Sequence, residues 1–166
     1  MDSVKGKAWI FPDDVNTDVI YPGRYMKVTD AEETPQYLFE TVYPDFRTKA
    51  KPGDVIVAGK YFGCGSSREQ AATAIRYFGI GCVVAESFAR IFYRNAINLG
   101  LPIAIVPDVR KHVSEGDEIE VNLAKGTLKN KTTGKEISFE PLPAFILDLL
   151  GQGGLIPATR KKLGIE

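Results

Sequence analysis

Short apolar runs alternate with longer amphipathic segments through the middle of the chain, and this alternation constrains the fold more than any other feature. The apolar runs lie at residues 55–58, 81–85 and 102–106. Continuous runs of this kind are typical of strands that are buried on both faces. The segments between them, 66–78 and 88–99, have helical patterns and end at Gly79 and Gly100. This strand–helix–strand–helix–strand order predicts a parallel α/β layer.

The flanking parts of the chain predict further elements. Residues 4–11 predict a first strand, and residues 32–42 predict a helix with Pro35 in its first turn. Glycine-containing turns separate three runs that predict antiparallel strands, at 117–123, 127–130 and 136–139. Residues 143–150 predict a short apolar helix. Because no clear linker divides the chain, we expect residues 1–166 to form one α/β domain, with a mixed sheet around a parallel α/β core.

Composition excludes several classes of function. The 21 basic and 21 acidic residues cancel, so nothing in the charge favours nucleic acid or an acidic membrane surface. No apolar run reaches membrane-spanning length and the amino terminus lacks the apolar core of a signal peptide, which predicts a cytoplasmic protein. The cysteines, Cys64 and Cys82, and the one histidine, His112, cannot ligate an iron–sulfur cluster by themselves. We therefore expect no metal in this chain and a buried Cys82.

A glycine-rich loop, Gly-Cys-Gly-Ser-Ser-Arg-Glu-Gln at residues 63–70, lies where a predicted strand gives way to a predicted helix. Its two glycines permit a tight turn and a close approach of the backbone to a ligand. Ser66 and Glu69 have the spacing of a capping box, which predicts a helix that starts near Ser66. Free N–H groups at a helix start attract anions, and the forked guanidinium of Arg68 suits a carboxylate.

Two common motifs are absent from this loop. No Gly-Lys-Ser/Thr follows its glycines, as a phosphate-binding P-loop requires. The serine also lacks the second glycine of a hydrolase elbow. The loop therefore either only caps the helix or holds a small polyanion beside a serine hydroxyl, and spacing alone leaves both alternatives open.

Three other polar segments each have a local and a functional interpretation. Thr17 and Asp18 form either an Asx-type turn or a pair in which Asp18 orients a basic partner. Arg90 and Arg94 share one helical face and are either solvated or, in the case of Arg90, partly buried among aromatic neighbours. Residues 24–28 form a loop that is either only solvated or selects a substrate.

Long segments of the chain resemble the small, swivelling-domain subunits of the aconitase superfamily. The matching segments are Asn-Thr-Asp-Val-Ile-Tyr-Pro at 16–22, 53–59, Tyr-Phe-Gly-Cys-Gly-Ser-Ser-Arg-Glu at 61–69, Ala-Glu-Ser-Phe-Ala-Arg-Ile-Phe-Tyr-Arg-Asn at 85–95 with its continuation to 102, and Gly-Gly-Leu at 153–155. They cover most of the chain in the expected order. The resemblance is nearest to the small subunits of 3-isopropylmalate dehydratase and of homoaconitase.

The resemblance implies a swivelling β/β/α domain that closes over a large subunit carrying a [4Fe–4S] cluster. The pair would act as a hydro-lyase in amino-acid biosynthesis, moving a hydroxyl between adjacent carbons of a substituted malate. We favour isopropylmalate and therefore leucine biosynthesis. The alternatives are a homoaconitase subunit that acts on a tricarboxylate and a stand-alone carboxylate-binding module. This chain would bind no cofactor of its own and would be active only with its large subunit.

The resemblance also assigns roles to residues of the glycine loop. It implies that Ser66 is the base and that Arg68 grips a substrate carboxylate, with Ser67 as a further contact. Thr17 and Asp18 would support the site. The remaining supporting residues are Gly63, Cys64, Gly65 and Arg90.

A second loop is implied to choose the substrate. In it, Met26 and Val28 would pack on an isopropyl group, whereas Lys27 would meet the extra carboxylate of a homocitrate-like substrate, and Tyr25 precedes them.

One departure from the resemblance follows the catalytic motif. Many relatives have His-Ala-Pro there, but this chain has Gln-Ala-Ala from Gln70 onward, which removes an ionisable group from the helix start.

Overall fold

The computed structural model describes residues 3–165, and seven strands in that range form one mixed sheet. The strands are β1 (Val4–Ile10), β2 (Val55–Ala58), β3 (Cys82–Ala85), β4 (Ile103–Ile105), β5 (Glu118–Asn122), β6 (Thr127–Asn130) and β7 (Glu136–Ser138). Their order across the sheet is β4-β3-β2-β1-β5-β6-β7. Strands β1 to β4 pair in parallel, and β1, β5, β6 and β7 pair antiparallel. Strand β1 therefore joins the two halves, as the mixed sheet in the sequence-based prediction requires.

Six α-helices accompany the sheet in the part of the chain that the structure describes. They are α1 (Thr17–Ile20), α2 (Phe46–Lys49), α3 (Glu69–Phe78), α4 (Arg90–Asn98), α5 (Ala144–Gly151) and α6 (Leu155–Leu163), and short 3₁₀ helices lie at Gly23–Tyr25, Ala31–Tyr37 and Val109–Lys111. Helix α3 connects β2 to β3, and α4 connects β3 to β4, which confirms the predicted parallel layer. Within residues 3–165, no helix is long and apolar enough to cross a bilayer.

The predicted helix at 32–42 is wrong. A 3₁₀ helix covers Ala31–Tyr37 instead, and turns follow it. Pro35 lies inside this segment and cannot donate a backbone hydrogen bond. The backbone of Leu38 is then extended, and that of Phe39 is left-handed with φ of 54°. Both conformations interrupt an α-helix, and Leu38 and Phe39 use them to enter the core, where neither is exposed to solvent.

The core lies on both faces of the parallel half of the sheet. All four residues of β2 and all four of β3 are buried, including Cys82, as their apolar patterns predict. Helix α3 buries a face of small residues, formed by Ala71, Ala72, Ala74 and Ile75, and its close neighbours include the 3₁₀ helix Ala31–Tyr37 and helix α4. Small side chains let the helix approach closely. Helices α3 and α4, which adjoin the polar loops, are therefore anchored in the core by their buried faces.

Candidate active site

The glycine loop forms one wall of a pocket of about 160 Å³. The loop follows β2, and the start of α4, which follows β3, forms another wall. Ligand sites in α/β folds occur at this carboxyl end of parallel strands. The polar lining residues are Thr17, Ser66, Ser67, Arg68, Arg90 and Asn95, and apolar lining comes from Tyr61, Ile91 and Phe92. The pocket is therefore amphipathic, because its lining contains hydroxyl and guanidinium groups as well as aromatic and aliphatic ones.

Backbone contacts with residues 15–17 hold the glycine loop in place. The N–H of Gly63 donates to the carbonyl of Val15 over 2.7 Å, and the N–H of Thr17 donates to the carbonyl of Cys64 over 2.8 Å. The Thr17 hydroxyl, which is buried, donates to the carbonyl of Ser66 over 2.7 Å. Thr17 thus fixes the backbone of the residue that the sequence predicts to be catalytic.

Gly63 has no substitute at its position, because it combines a left-handed backbone with contact against the core. Its φ is +83°, and an added Cβ would overlap the ring of Phe92. We expect Gly63→Ala to lower the free energy of unfolding by at least about 2 kcal/mol, measured by urea denaturation. Gly134→Ala is the matched control, since Gly134 has a φ of +80° and open space around its Cβ position. Equal losses in the two variants would show that packing against Phe92 contributes nothing.

The predicted capping box is wrong. Helix α3 begins at Glu69, and its N-cap residue is Arg68, whose side chain makes no capping hydrogen bond. The helix cannot start earlier because Gly65 has a φ of +95° and Arg68 is extended. Ser66 and Ser67 are exposed in the preceding turn. Their hydroxyls are consequently not used as caps and remain available to a ligand.

The same turn presents unpaired backbone donors. Within residues 3–165, the N–H groups of Gly65, Ser66 and Ser67 have no hydrogen-bond acceptor. They precede the amino-terminal end of α3, where the helix dipole favours negative charge. Of the two alternatives that the spacing left open, capping of the helix by Ser66 is wrong, and the binding of an anion stays a prediction.

Arg68 is held in position by an ion pair. Its Nη1 donates to Asp18 Oδ1 over 2.5 Å and to the carbonyl of Tyr21 over 3.3 Å. The N–H of Gly23 also donates to Asp18 Oδ1, over 2.9 Å. The Asx-type turn that was the local alternative for Asp18 is formed by Asn16, whose Oδ1 accepts a hydrogen bond from the N–H of Val19. Asp18 therefore orients Arg68, with its side chain only 19% exposed, at the wall of the pocket.

The Arg68 guanidinium lowers the pKa of the Asp18 carboxyl, and the Gly23 N–H adds to this effect. Because the folded pKa is below the unfolded one, the ion pair stabilises the fold at neutral pH and is lost as the pH falls through the folded pKa. The Asp18 side chain is 67% exposed. Solvent screening therefore limits the contribution to less than about 1 kcal/mol.

We expect Asp18→Asn to change the stability at pH 7 by less than about 1 kcal/mol but to lower kcat/KM of the reconstituted enzyme about tenfold, since a free Arg68 is poorly oriented. Urea denaturation from pH 7 to pH 2 checks the first part. The stability difference between wild type and variant should vanish at the acid end. A difference that persists there would contradict the ion pair as its cause.

Helix α4 contributes Arg90 and Ile91 to the pocket. Arg90 is exposed and, among the described residues, forms no ion pair, so the solvated alternative holds. Phe92 of the same helix is buried. The helical period therefore turns Arg90 and Ile91 away from the core. Cys64 lies half-buried behind the loop, does not line the pocket, and has a thiol pKa that burial raises.

The loop predicted to choose the substrate does not line this pocket. The ring of Tyr25 stacks on Tyr37 with centroids 3.8 Å apart, and its hydroxyl donates to Glu40. Met26 and Lys27 are exposed. Val28 lines a separate groove of about 330 Å³ between the loop and α3. The roles of these four residues remain predictions.

The structure also brings in residues that the sequence reasoning missed. Tyr61 and Ile91 form the apolar side of the pocket. Both belong to the segments that carry the resemblance, but only the buried position of Phe92 reveals which side of α4 faces the pocket. Gln70, noted only as a departure, donates from Nε2 to the carbonyl of Met26 over 3.2 Å and so ties the second loop to α3.

Fold and pocket together define an α/β domain with a glycine-rich turn and a polar pocket at the ends of its parallel strands. A family model, the aconitase C-terminal domain, matches residues 12–108. The chain belongs to the aconitase C-terminal domain family, in the group of 3-isopropylmalate dehydratase small subunits. This confirms the predicted family and fold class.

Individual relatives match almost the whole chain. The isopropylmalate/citramalate isomerase small subunit of Methanocaldococcus jannaschii is 51% identical, over 96% of this chain and 95% of its own length. The 3-isopropylmalate dehydratase small subunit of Thermodesulfovibrio yellowstonii is 46% identical, over 98% of this chain and 97% of its own. A crystal structure of 3-isopropylmalate dehydratase (leuD) from M. jannaschii superposes with a TM-score of 0.91 at 44% identity, covering 97% of this chain and 95% of that one. Their designation as small subunits implies a large-subunit partner.

Proposed function

We propose that this chain is the small subunit of a 3-isopropylmalate dehydratase, a hydro-lyase that interconverts 2- and 3-isopropylmalate in leucine biosynthesis. The observation that carries the proposal is the open pocket in which exposed Ser66 lies beside an oriented Arg68. Such a pocket is half of an active site in this proposal, because one side of it is open to solvent and has to be closed by another protein surface. The chain is similar to small subunits over nearly their full length, which supports a large subunit as the source of the other half.

Ser66 acts as the base in this proposal. Dehydration transfers a proton from the carbon next to a carboxylate to the Ser66 oxygen, while hydroxide leaves the adjacent carbon. Hydration then adds hydroxide to the carbon that lost the proton and returns the Ser66 proton to the carbon that lost hydroxide, which gives the other isomer. A serine oxygen accepts such a proton only where its alkoxide is stabilised. The unpaired N–H groups of the turn, the start of α3 and the Arg68 guanidinium are groups of the required sign.

Arg68 binds a substrate carboxylate in the same proposal. Asp18 and the Tyr21 carbonyl engage Nη1 alone, which leaves other donors of the fork for the substrate. Ser66 is exposed in the isolated chain, so the large subunit must cover it to exclude water. The [4Fe–4S] cluster of that subunit, when bound, supplies the Lewis acid for the leaving hydroxyl.

The ligand chemistry of this chain supports a cluster on the partner. Cys82 is buried in β3, and Cys64 lies half-buried in the loop. Residues 3–165 contain no group of three or more His, Cys, Asp or Glu side chains that could hold a metal ion. An iron–sulfur cluster needs several thiolate ligands brought together. We also propose that residues 1–166 act as one swivel domain, since β1 joins both halves of the sheet. The cytoplasmic location that the sequence predicts is part of the same proposal.

Isopropylmalate is the proposed substrate because the pocket has an apolar side. Tyr61 and Ile91 offer apolar surface to an alkyl substituent, which is stabilised by burial against them. The homoaconitase alternative relied on Lys27, which is exposed and outside the pocket.

Reconstitution with the large subunit tests the proposal. We expect turnover of isopropylmalate by the pair, none by this chain alone, and weaker activity with homoaconitate. Citramalate is included as a smaller alkyl malate. Lys27→Ala should leave isopropylmalate turnover unchanged. Tight binding of isopropylmalate by the lone chain, without turnover in the presence of the partner, would instead support a stand-alone carboxylate-binding module.

A further inference from the structure

We infer that the exposed face at the start of α4, formed by Arg90, Ile91 and Arg94, is a docking surface for the large subunit, which presents carboxylates to it. This inference rests on the proposed function, because it takes the large subunit as the partner. It concerns a contact between proteins and is separate from the roles of Ser66 and Arg68 in the reaction. We call these three residues the α4 face.

The charge on the α4 face works against the stability of the isolated chain. Arg90 is the first residue of α4, where the helix dipole disfavours a cation, and the first turn contains no acidic residue. Arg94 lies four residues further on, so the two like charges are neighbours on the helix surface. Both are exposed, and within residues 3–165 neither forms an ion pair. A carboxylate from another protein would offset both the unfavourable helix-dipole interaction of Arg90 and the repulsion between Arg90 and Arg94.

Apolar surface lies beside these arginines. Ile91 is 48% exposed and Tyr61, across the pocket mouth, is 53% exposed. Tyr61 holds its ring there from a left-handed backbone with φ of 59°, and its N–H donates to the Ser87 hydroxyl. Non-glycine residues occupy this conformation mainly where surrounding contacts impose it. Tyrosine and arginine around an aliphatic centre are the composition enriched at protein interfaces.

The position of the α4 face points to the same partner. Arg90 and Ile91 line the pocket that contains Ser66. A partner that covers Ser66 against water must therefore pass over them. Phe92 and Ala96 anchor the other side of α4 in the core. The face is thus a rigid surface that needs no rearrangement before docking.

A double charge reversal, Arg90→Glu with Arg94→Glu, tests the inference. Isothermal titration with the purified large subunit measures Kd at low and at high salt. We expect the double variant to bind at least about tenfold more weakly at low salt, because buried charge pairs at interfaces are strongly coupled. Added salt should weaken wild-type binding more than it weakens binding of the variant. The melting temperature should not fall, since an acid at the start of α4 is favourable.

The matched control is Lys125→Glu with Lys135→Glu. Both lysines are exposed in turns of the antiparallel half, and the control changes the net charge by the same amount. It should alter Kd less than about twofold. Unchanged binding of the arginine variant, or equal weakening by the control, would overturn the inference but leave the proposed function intact. Failure of the wild-type chain to bind the large subunit would refute both.

Discussion

Ser66→Ala is expected to lower kcat of the reconstituted dehydratase by about 10³-fold while leaving KM and the Kd for the large subunit nearly unchanged. The variant keeps the backbone of the turn, which the Thr17 hydroxyl holds through the Ser66 carbonyl and not through the Ser66 side chain. It also keeps Arg68 in its ion pair with Asp18. Only the oxygen that accepts the proton is lost, and proton transfer matters in the transition state alone.

Ser67→Ala is the matched control for this experiment. It removes a hydroxyl from the next residue of the same exposed turn. As a carboxylate contact, Ser67 is expected to change KM more than kcat, by about tenfold. Steady-state kinetics with isopropylmalate and titration calorimetry with the large subunit separate the two effects. A Ser66→Ala enzyme with full kcat would end the assignment of this residue as the base.

Arg68→Lys is expected to lower kcat/KM by about 10²-fold, the second largest effect. Lysine retains the charge but loses the planar fork that pairs with a carboxylate through two parallel hydrogen bonds. It also cannot hold Asp18, the Tyr21 carbonyl and a substrate at once in the geometry of the guanidinium. The loss should fall mainly on KM if the carboxylate is bound equally in the ground and transition states.

Arg76→Lys serves as the control for charge-conserving substitution in the same helix. Arg76 lies in the last turn of α3, at the end opposite the pocket. A cation of either kind interacts favourably with that end of the helix dipole. We expect kcat/KM to stay within about twofold of wild type. Equal losses in both variants would mean that Arg68 acts through helix stability and not through substrate binding.

The alternation of strands and helices could be predicted from the sequence because it depends on patterns that are local in the chain. Strands β2 and β3 are buried on both faces, so their residues are uniformly apolar, and glycines end the intervening helices for conformational reasons that act within a few residues. The start of α3 was not readable in this way. A capping box at Ser66 fits the sequence. The helix nevertheless begins only at Glu69, because the turn at Gly65 and the hydrogen bond from Thr17 hold the preceding residues in a non-helical conformation.

Candidate site residues were recognised more easily than their neighbours in space. The motif around Ser66 and Arg68 is contiguous, so its resemblance to a family is visible in one chain segment. The partner of Arg68 is 50 residues away at Asp18, and the sequence left open whether Asp18 forms only a local turn or orients a basic group. The second loop was expected at the substrate, whereas Tyr25 turns inward onto Tyr37 and Glu40.

The α/β layer, the resemblance to the family and the chemical groups of the turn follow from the amino-acid sequence, because burial, glycine conformation and hydroxyl or guanidinium chemistry belong to individual residues and short patterns. Three features required the three-dimensional arrangement: which groups share the pocket, the orientation of Arg68 by Asp18, and the outward direction of Arg90 and Ile91 on α4. These features depend on how distant segments pack, and the pattern of no single segment contains that information.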